Sequence, residues 1–160
     1  MTRTRTAFGL MIVGVLLLSA CGNDAKDTPR AQPPASSAPA GPTQVTVTAT
    51  EYSFDLPDEL PAGPTSFTLT NAGKEKHFLE IVQLTDDALP LKELLKLQED
   101  ELAPYFVGQP NRIATVKPGE TSEPKNIDLV PARYAYVCFI EAKDGTPHAF
   151  LGMSGEFTVH

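Results

Sequence analysis

Apolar and polar positions alternate with a period of two along much of the chain beyond residue 43. In "VTVTAT" (45–50) Val and Ala alternate with Thr, and in "SFTLTN" (66–71) Phe67 and Leu69 oppose Ser66, Thr68 and Thr70. Such alternation predicts strands that bury one face and leave the other to water. "HFLEIVQL" (77–84) and "RYAYVCFI" (133–140) are more continuously apolar and predict central strands, while "EFTV" (156–159) alternates again, with Phe157 and Val159 inward. The intervening "LPAGP", "NAG", "KPGE" and "VPA" supply turns through Gly and Pro. Only "PLKELLKLQED" (90–100) has helical spacing, with Leu91, Leu94, Leu95 and Gln98 on one side and charges on the other. Many short strands at turn-punctuated intervals predict an all-β fold: an antiparallel sandwich with one short inserted helix.

The start of the chain has a different pattern. Arg3 and Arg5 precede the apolar run Phe8–Leu18, followed by Ser19 and Ala20. That is the plan of a secretory signal over residues 1–20, and the run is too short to span a bilayer as a helix of roughly 20 residues. "LSAC" (18–21) resembles the lipobox of bacterial lipoproteins, which implies that Cys21 is acylated and anchors the mature chain to the membrane. The segment "GNDAKDTPRAQPPASSAPAGPT" (22–43) has five prolines and almost no large apolar residue. With Cys21 it is expected to form a tether (21–43), reaching on the order of 25–30 Å if it behaves as a coil. The folded domain is thus expected over 44–160, outside the cytoplasm and just off a membrane surface.

Charge and motifs narrow the function. Residues 44–160 carry 9 Lys/Arg against 18 Asp/Glu, and the whole chain has a net charge of −7. A nucleic-acid partner is excluded, because phosphate binding needs a concentrated basic surface. No Gly-rich phosphate loop, zinc signature or serine-nucleophile motif occurs. The acidic groups Asp86–Asp87 and Glu99–Asp100–Glu101 are expected on a solvated face, and His160, the last residue, in solvent. The expectation is a monomer that is not an enzyme.

The cysteines change the picture. There are two, and acylation would use Cys21, leaving Cys138 as a lone thiol in an oxidising compartment where cysteines are normally paired. A buried cysteine that packs as a small hydrophobe remains open beside a ligand role. Strand parity puts His77 on one side with Leu79 and Ile81, and Cys138 on one side with Tyr134, Tyr136 and Ile140. The two strands could bring His77 and Cys138 together between the sheets, with His148 and Met153 on the loop into the last strand.

Three stretches resemble a cupredoxin, a blue copper protein of the plastocyanin kind. "NAGKEKH" (71–77) is similar to the turn that delivers the first histidine ligand, and "YAYVC" (134–138) to the aromatic strand ending in the cysteine. "GMSGEFTV" (152–159) is similar to the methionine and the strand after it. The resemblance implies a Greek-key β-sandwich holding one type 1 copper ion. His77, Cys138 and His148 would be its equatorial ligands and Met153 a weak axial one, a set suited to both Cu(I) and Cu(II). It implies single-electron transfer with a partner protein, with copper capture and delivery, or a metal-free interaction module, as other uses of the same fold. Nine residues separate Cys138 from His148, far more than in plastocyanin and closer to copper nitrite reductases, and "EAKDGTP" is expected to turn around Asp144–Gly145. Phe78 stands where plastocyanin-like proteins carry a polar residue, so a hydrogen bond near the ligands must come from elsewhere.

Overall fold

Val45, Val47 and Ala49 are buried along β1 (Thr43–Thr50) while the threonines between them are exposed or half-buried, as alternation requires. The computed structural model describes residues 41–160; the signal, Cys21 and nearly all of the tether lie outside the described residues. After β1 come β2 (Ser53–Asp55), β3 (Glu59–Leu60), β4 (Gly63–Asn71) and β5 (His77–Leu84). A helical insertion precedes β6 (Phe106–Val116), β7 (Lys125–Leu129), β8 (Ala132–Val137) and β9 (Ser154–Val159). One sheet has the order β2-β1-β4-β7 and the other β3-β9-β8-β5-β6.

The two sheets enclose a core that includes Val47, Phe67, Leu69, Leu79, Ile81, Tyr134, Cys138, Met153 and Phe157. The expected sandwich is present, and most pairings are antiparallel. Two are parallel, β1 with β4 and β3 with β9, so both sheets are mixed. Four strands were not anticipated. β2 and β3 are too short to show a period, and β6 and β7 are edge strands with largely exposed residues. β6 even contains Pro110, which an edge tolerates because one row of its backbone groups needs no sheet partner.

β5 lies between β6 and β8 and is buried on both faces. His77, Leu79 and Ile81 face the sandwich core, whereas Val82 and Leu84 join Ala135 in a second cluster under the insertion. The single helix expected over 90–100 is instead two short ones, α1 (Leu91–Leu94) and α2 (Glu99–Leu102), followed by a 3-10 turn (Ala103–Tyr105). Leu91 and Leu94 are buried as expected, but Gln98 is exposed. The break has a local cause: Gln98 and Glu101 form a reciprocal capping box, with the Gln98 N–H donating to Glu101 Oε2 at 2.8 Å. That starts a new helix where the first would have continued.

Glu156 of β9 ties the insertion to the sheet. Its Oε1 accepts the Leu91 N–H at 2.6 Å and its Oε2 pairs with Arg133 at 2.8 Å, while Arg133 also donates to the Ala88 carbonyl at 3.1 Å. These contacts are local to the insertion, so Glu156→Ala should speed amide hydrogen exchange over residues 88–94 and leave β1 and β4 protected. Exchange mass spectrometry checks this, and equal acceleration in both regions would contradict it.

Candidate metal centre

His77 opens β5, and the turn before it is organised by Asn71. That side chain is buried; its Nδ2 donates to the carbonyls of Glu75 (2.7 Å) and Val116 (3.1 Å), and its Oδ1 accepts the Gly73 N–H (2.8 Å). Val116 is the β6 residue opposite His77, so Asn71 joins the turn to the strand pair that holds the ring.

Cys138 lies one residue beyond β8, at the same end of the sheet as His77 because β5 and β8 are antiparallel. The chain then makes its own small hairpin. The Ala142 N–H donates to Thr146 O (2.9 Å), the Gly145 N–H to Ala142 O (2.9 Å), and Asp144 Oδ1 accepts the Thr146 N–H (2.9 Å). Gly145 takes φ +84°, which glycine adopts without penalty, so the turn sits where Asp144–Gly145 predicts it. The loop closes on the site: the His148 N–H donates to Ile140 O (2.8 Å) and the Ala149 N–H to Cys138 O (2.7 Å).

His148 begins one helical turn, α3 (His148–Leu151), rather than the expected loop. The Met153 N–H donates to His148 O (2.9 Å) and the Cys138 N–H to Met153 O (3.0 Å), so backbone hydrogen bonds link these three residues. Gly152 makes the corner with φ +128°, and a Cβ there would come 2.7 Å from the Tyr52 carbonyl.

The side chains converge. His77 Nδ1 and His148 Nδ1 are 3.2 Å apart, Cys138 Sγ is 3.7 Å from His148 Nδ1, and the three donor atoms lie within 4.8 Å of one another. All three residues are 0% exposed, as is Met153, which shares a core cluster with Cys138. Donors about 2.0–2.3 Å from one ion lie at most about 4.6 Å apart, so the 3.2 and 3.7 Å separations suit a shared ion, and the third pair, within 4.8 Å, would close by a few tenths of an ångström on binding.

The outer ring nitrogens strengthen that fit. His77 Nε2 lies 3.1 Å from Glu51 Oε1 and His148 Nε2 3.0 Å from Glu75 Oε2. A carboxylate only accepts, so each Nε2 carries the proton and each ring turns its Nδ1 inward. Two Nδ1 atoms facing each other at 3.2 Å repel unless a shared proton or a metal ion lies between them. Burial pushes the His77 pKa down, aided by His148 and opposed by Glu51 and Glu75. Burial also pushes the Cys138 thiol up, opposed by backbone hydrogen bonds from Phe78 and Ile140 and by the charge of Arg112. A metal ion would reverse the second effect by taking the thiolate as ligand.

Sequence reasoning singled out these four residues but missed what surrounds them; the structure brings His77, Cys138 and His148 together and buries Met153 in the same core cluster as Cys138. Glu51 and Tyr52 form the turn after β1, and the Tyr52 ring lies over His148 with centroids 4.8 Å apart. Glu75 sits inside the "NAGKEKH" stretch, where its charge carried no distinctive signal. Asn71→Ala would strand the buried Val116 carbonyl and the half-buried Glu75 carbonyl and free the turn, at a cost of about 1–3 kcal/mol. Denaturant unfolding of the two metal-free proteins measures it; an unchanged midpoint and slope would show that Asn71 does not hold the turn.

No family model and no curated protein matches the chain. Among solved structures it is similar to an auracyanin from Roseiflexus castenholzii, at 23% identity over 74% of this chain and 97% of that one (TM-score 0.48). It is similar to auracyanin A, a blue copper protein from Chloroflexus aurantiacus, at 20% identity over 75% of this chain and 100% of that one (TM-score 0.47). A third is reduced rusticyanin, at 20% identity over 76% of this chain and 81% of that one (TM-score 0.45). These three are cupredoxins.

Proposed function

We propose that this chain is a membrane-anchored, extracytoplasmic electron carrier that binds one copper ion. His77, Cys138 and His148 would hold the ion, with Met153 supplying a weak thioether donor. The observation that carries the reading is the convergence of two buried Nδ1 atoms and a buried thiol on one point. Thiolate with two imidazoles and a thioether is the donor set of blue copper electron-transfer sites. When bound, the ion supplies a one-electron Cu(I)/Cu(II) couple.

The chain's own residues do the rest. The sandwich core excludes water from the donors, and the backbone links among Cys138, His148 and Met153 fix their spacing. Tyr52 covers one ring. A site held this firmly favours passing an electron with little rearrangement. The complete burial of all four residues favours retaining the ion over handing it to a recipient. The lipobox-like "LSAC" supports attachment through Cys21, which would hold the domain near a membrane and a redox partner protein.

Two experiments test the reading. Cu(II) added to the metal-free domain should give an intense thiolate-to-copper band in the visible range, and Cys138→Ser should abolish it while far-ultraviolet dichroism stays the same. Absence of the band from wild type, or its persistence in the serine variant, would refute the blue site. For the anchor, Cys21→Ala should move the protein from the detergent phase to the aqueous phase or leave it unprocessed. Aqueous partitioning of both proteins, with an unacylated mature terminus by mass spectrometry, would rule out lipidation.

A further inference from the structure

Both ligand histidines end on carboxylates that no sequence motif singled out. The rings are 0% exposed, and Glu51 and Glu75, their partners, are 24% and 25% exposed. The two glutamates come from separate segments, the turn after β1 and the turn before β5, yet they are mechanically joined. Glu51 Oε1 accepts the Glu75 N–H at 2.8 Å and the Lys74 N–H at 2.6 Å in addition to meeting His77. One carboxylate therefore fastens the backbone that carries the other. Gly73 fits this arrangement, since a Cβ at that position would overlap the Glu51 carboxyl group.

We propose that Glu51 and Glu75 form an anionic clasp that fixes both imidazoles with Nδ1 toward the metal and biases the site toward the oxidised ion, lowering its reduction potential. The electronic half of this inference rests on the copper reading. The mechanical half does not.

The physical grounds are two. A carboxylate on the outer nitrogen fixes the tautomer and ring orientation and makes the inner nitrogen more basic. A more basic donor, with a nearby negative charge, stabilises a divalent ion more than a monovalent one. The interaction scales with the charge on the ion and is damped little in a buried site. Both glutamates touch the histidines and not the metal, so they are positioning residues.

The test separates charge from hydrogen bonding. Glu51→Gln and Glu75→Gln keep an oxygen that can accept the Nε2 proton but remove the charge. Glu75→Ala removes both. By voltammetry at one pH, each glutamine variant should have a higher potential than wild type, the double variant higher still, with the visible band retained. By NMR on metal-free and Cu(I)-loaded protein, Glu75→Ala should speed solvent exchange of the His148 Nε2 proton and spare that of His77. Gly73→Ala, which leaves both carboxylates in the chain but displaces Glu51, should expose the His77 proton and, because Glu51 fastens the Glu75 backbone, the His148 proton with it. Unchanged or lowered potentials in both glutamine variants would overturn the bias toward the oxidised ion. Equal Nε2 exchange in wild type, Glu75→Ala and Gly73→Ala would overturn the clasp. A wild type that takes up no copper would refute the electron-carrier reading and the potential bias with it, and exchange on the metal-free protein would still decide whether the clasp exists.

Discussion

Two imidazole Nδ1 atoms 3.2 Å apart, with a thiol beside them, are held together by a shared proton, by a metal ion, or by a fold that does not let them separate. Water cannot solvate these groups, because all three residues are fully buried. The cost of that arrangement falls on the metal-free chain, and it explains the density of supports around the site. Asn71 braces the turn before His77, the backbone links Cys138, Met153 and His148, and two carboxylates hold the ring edges. Each support acts on a backbone segment or a ring orientation, so the donors stay aimed at one point before any ion arrives. Binding then needs little ordering, and most of the donor–metal interaction appears as affinity.

The sheet topology decides which segments reach the site. Antiparallel pairing of β5 and β8 puts the start of one strand and the end of the other at the same edge, and so places His77 beside Cys138. Parallel pairing of β1 and β4 does the complementary job. Ala49 is opposite Asn71, so both strands run out at the same end and the Glu51–Tyr52 turn emerges beside the 71–77 turn. An antiparallel β1 would have carried that turn to the far end. The parallel pair is thus what brings Glu51 to His77 and Tyr52 to His148.

Period-two alternation made β1, β4 and β9 legible because one face of each packs into a shared core, and continuous apolarity made the central β5 and β8 legible. The edge strands β6 and β7 were not legible, since their residues face water and their composition is that of loops. The helix over 90–100 was half right for a reason local to it: apolar spacing locates the buried Leu91 and Leu94, but the capping of Gln98 by Glu101 overrides continuation. At the site, the candidate residues stood out because Cys, His and Met are rare here and strand parity orients two of them. Glu51 and Glu75 were not, because acidic residues are common and only the crossing of two distant turns gives these two a partner.

The long connection from Cys138 to His148 shows why spacing in sequence is a weaker constraint than closure in space. Nine residues lie between them, yet closing a longer flexible loop costs only about 0.6 kcal/mol for each doubling of its length. Here even that is reduced, because the extra residues form their own hairpin around Gly145 and are not left as a free loop. What the donors require is that the two ends meet. The bonds from His148 N–H to Ile140 O and from Ala149 N–H to Cys138 O do this directly, at 2.8 and 2.7 Å. The positions of Cys138 and His148 relative to each other are therefore fixed by the bonds at the base of the loop, and the hairpin beyond them closes on its own.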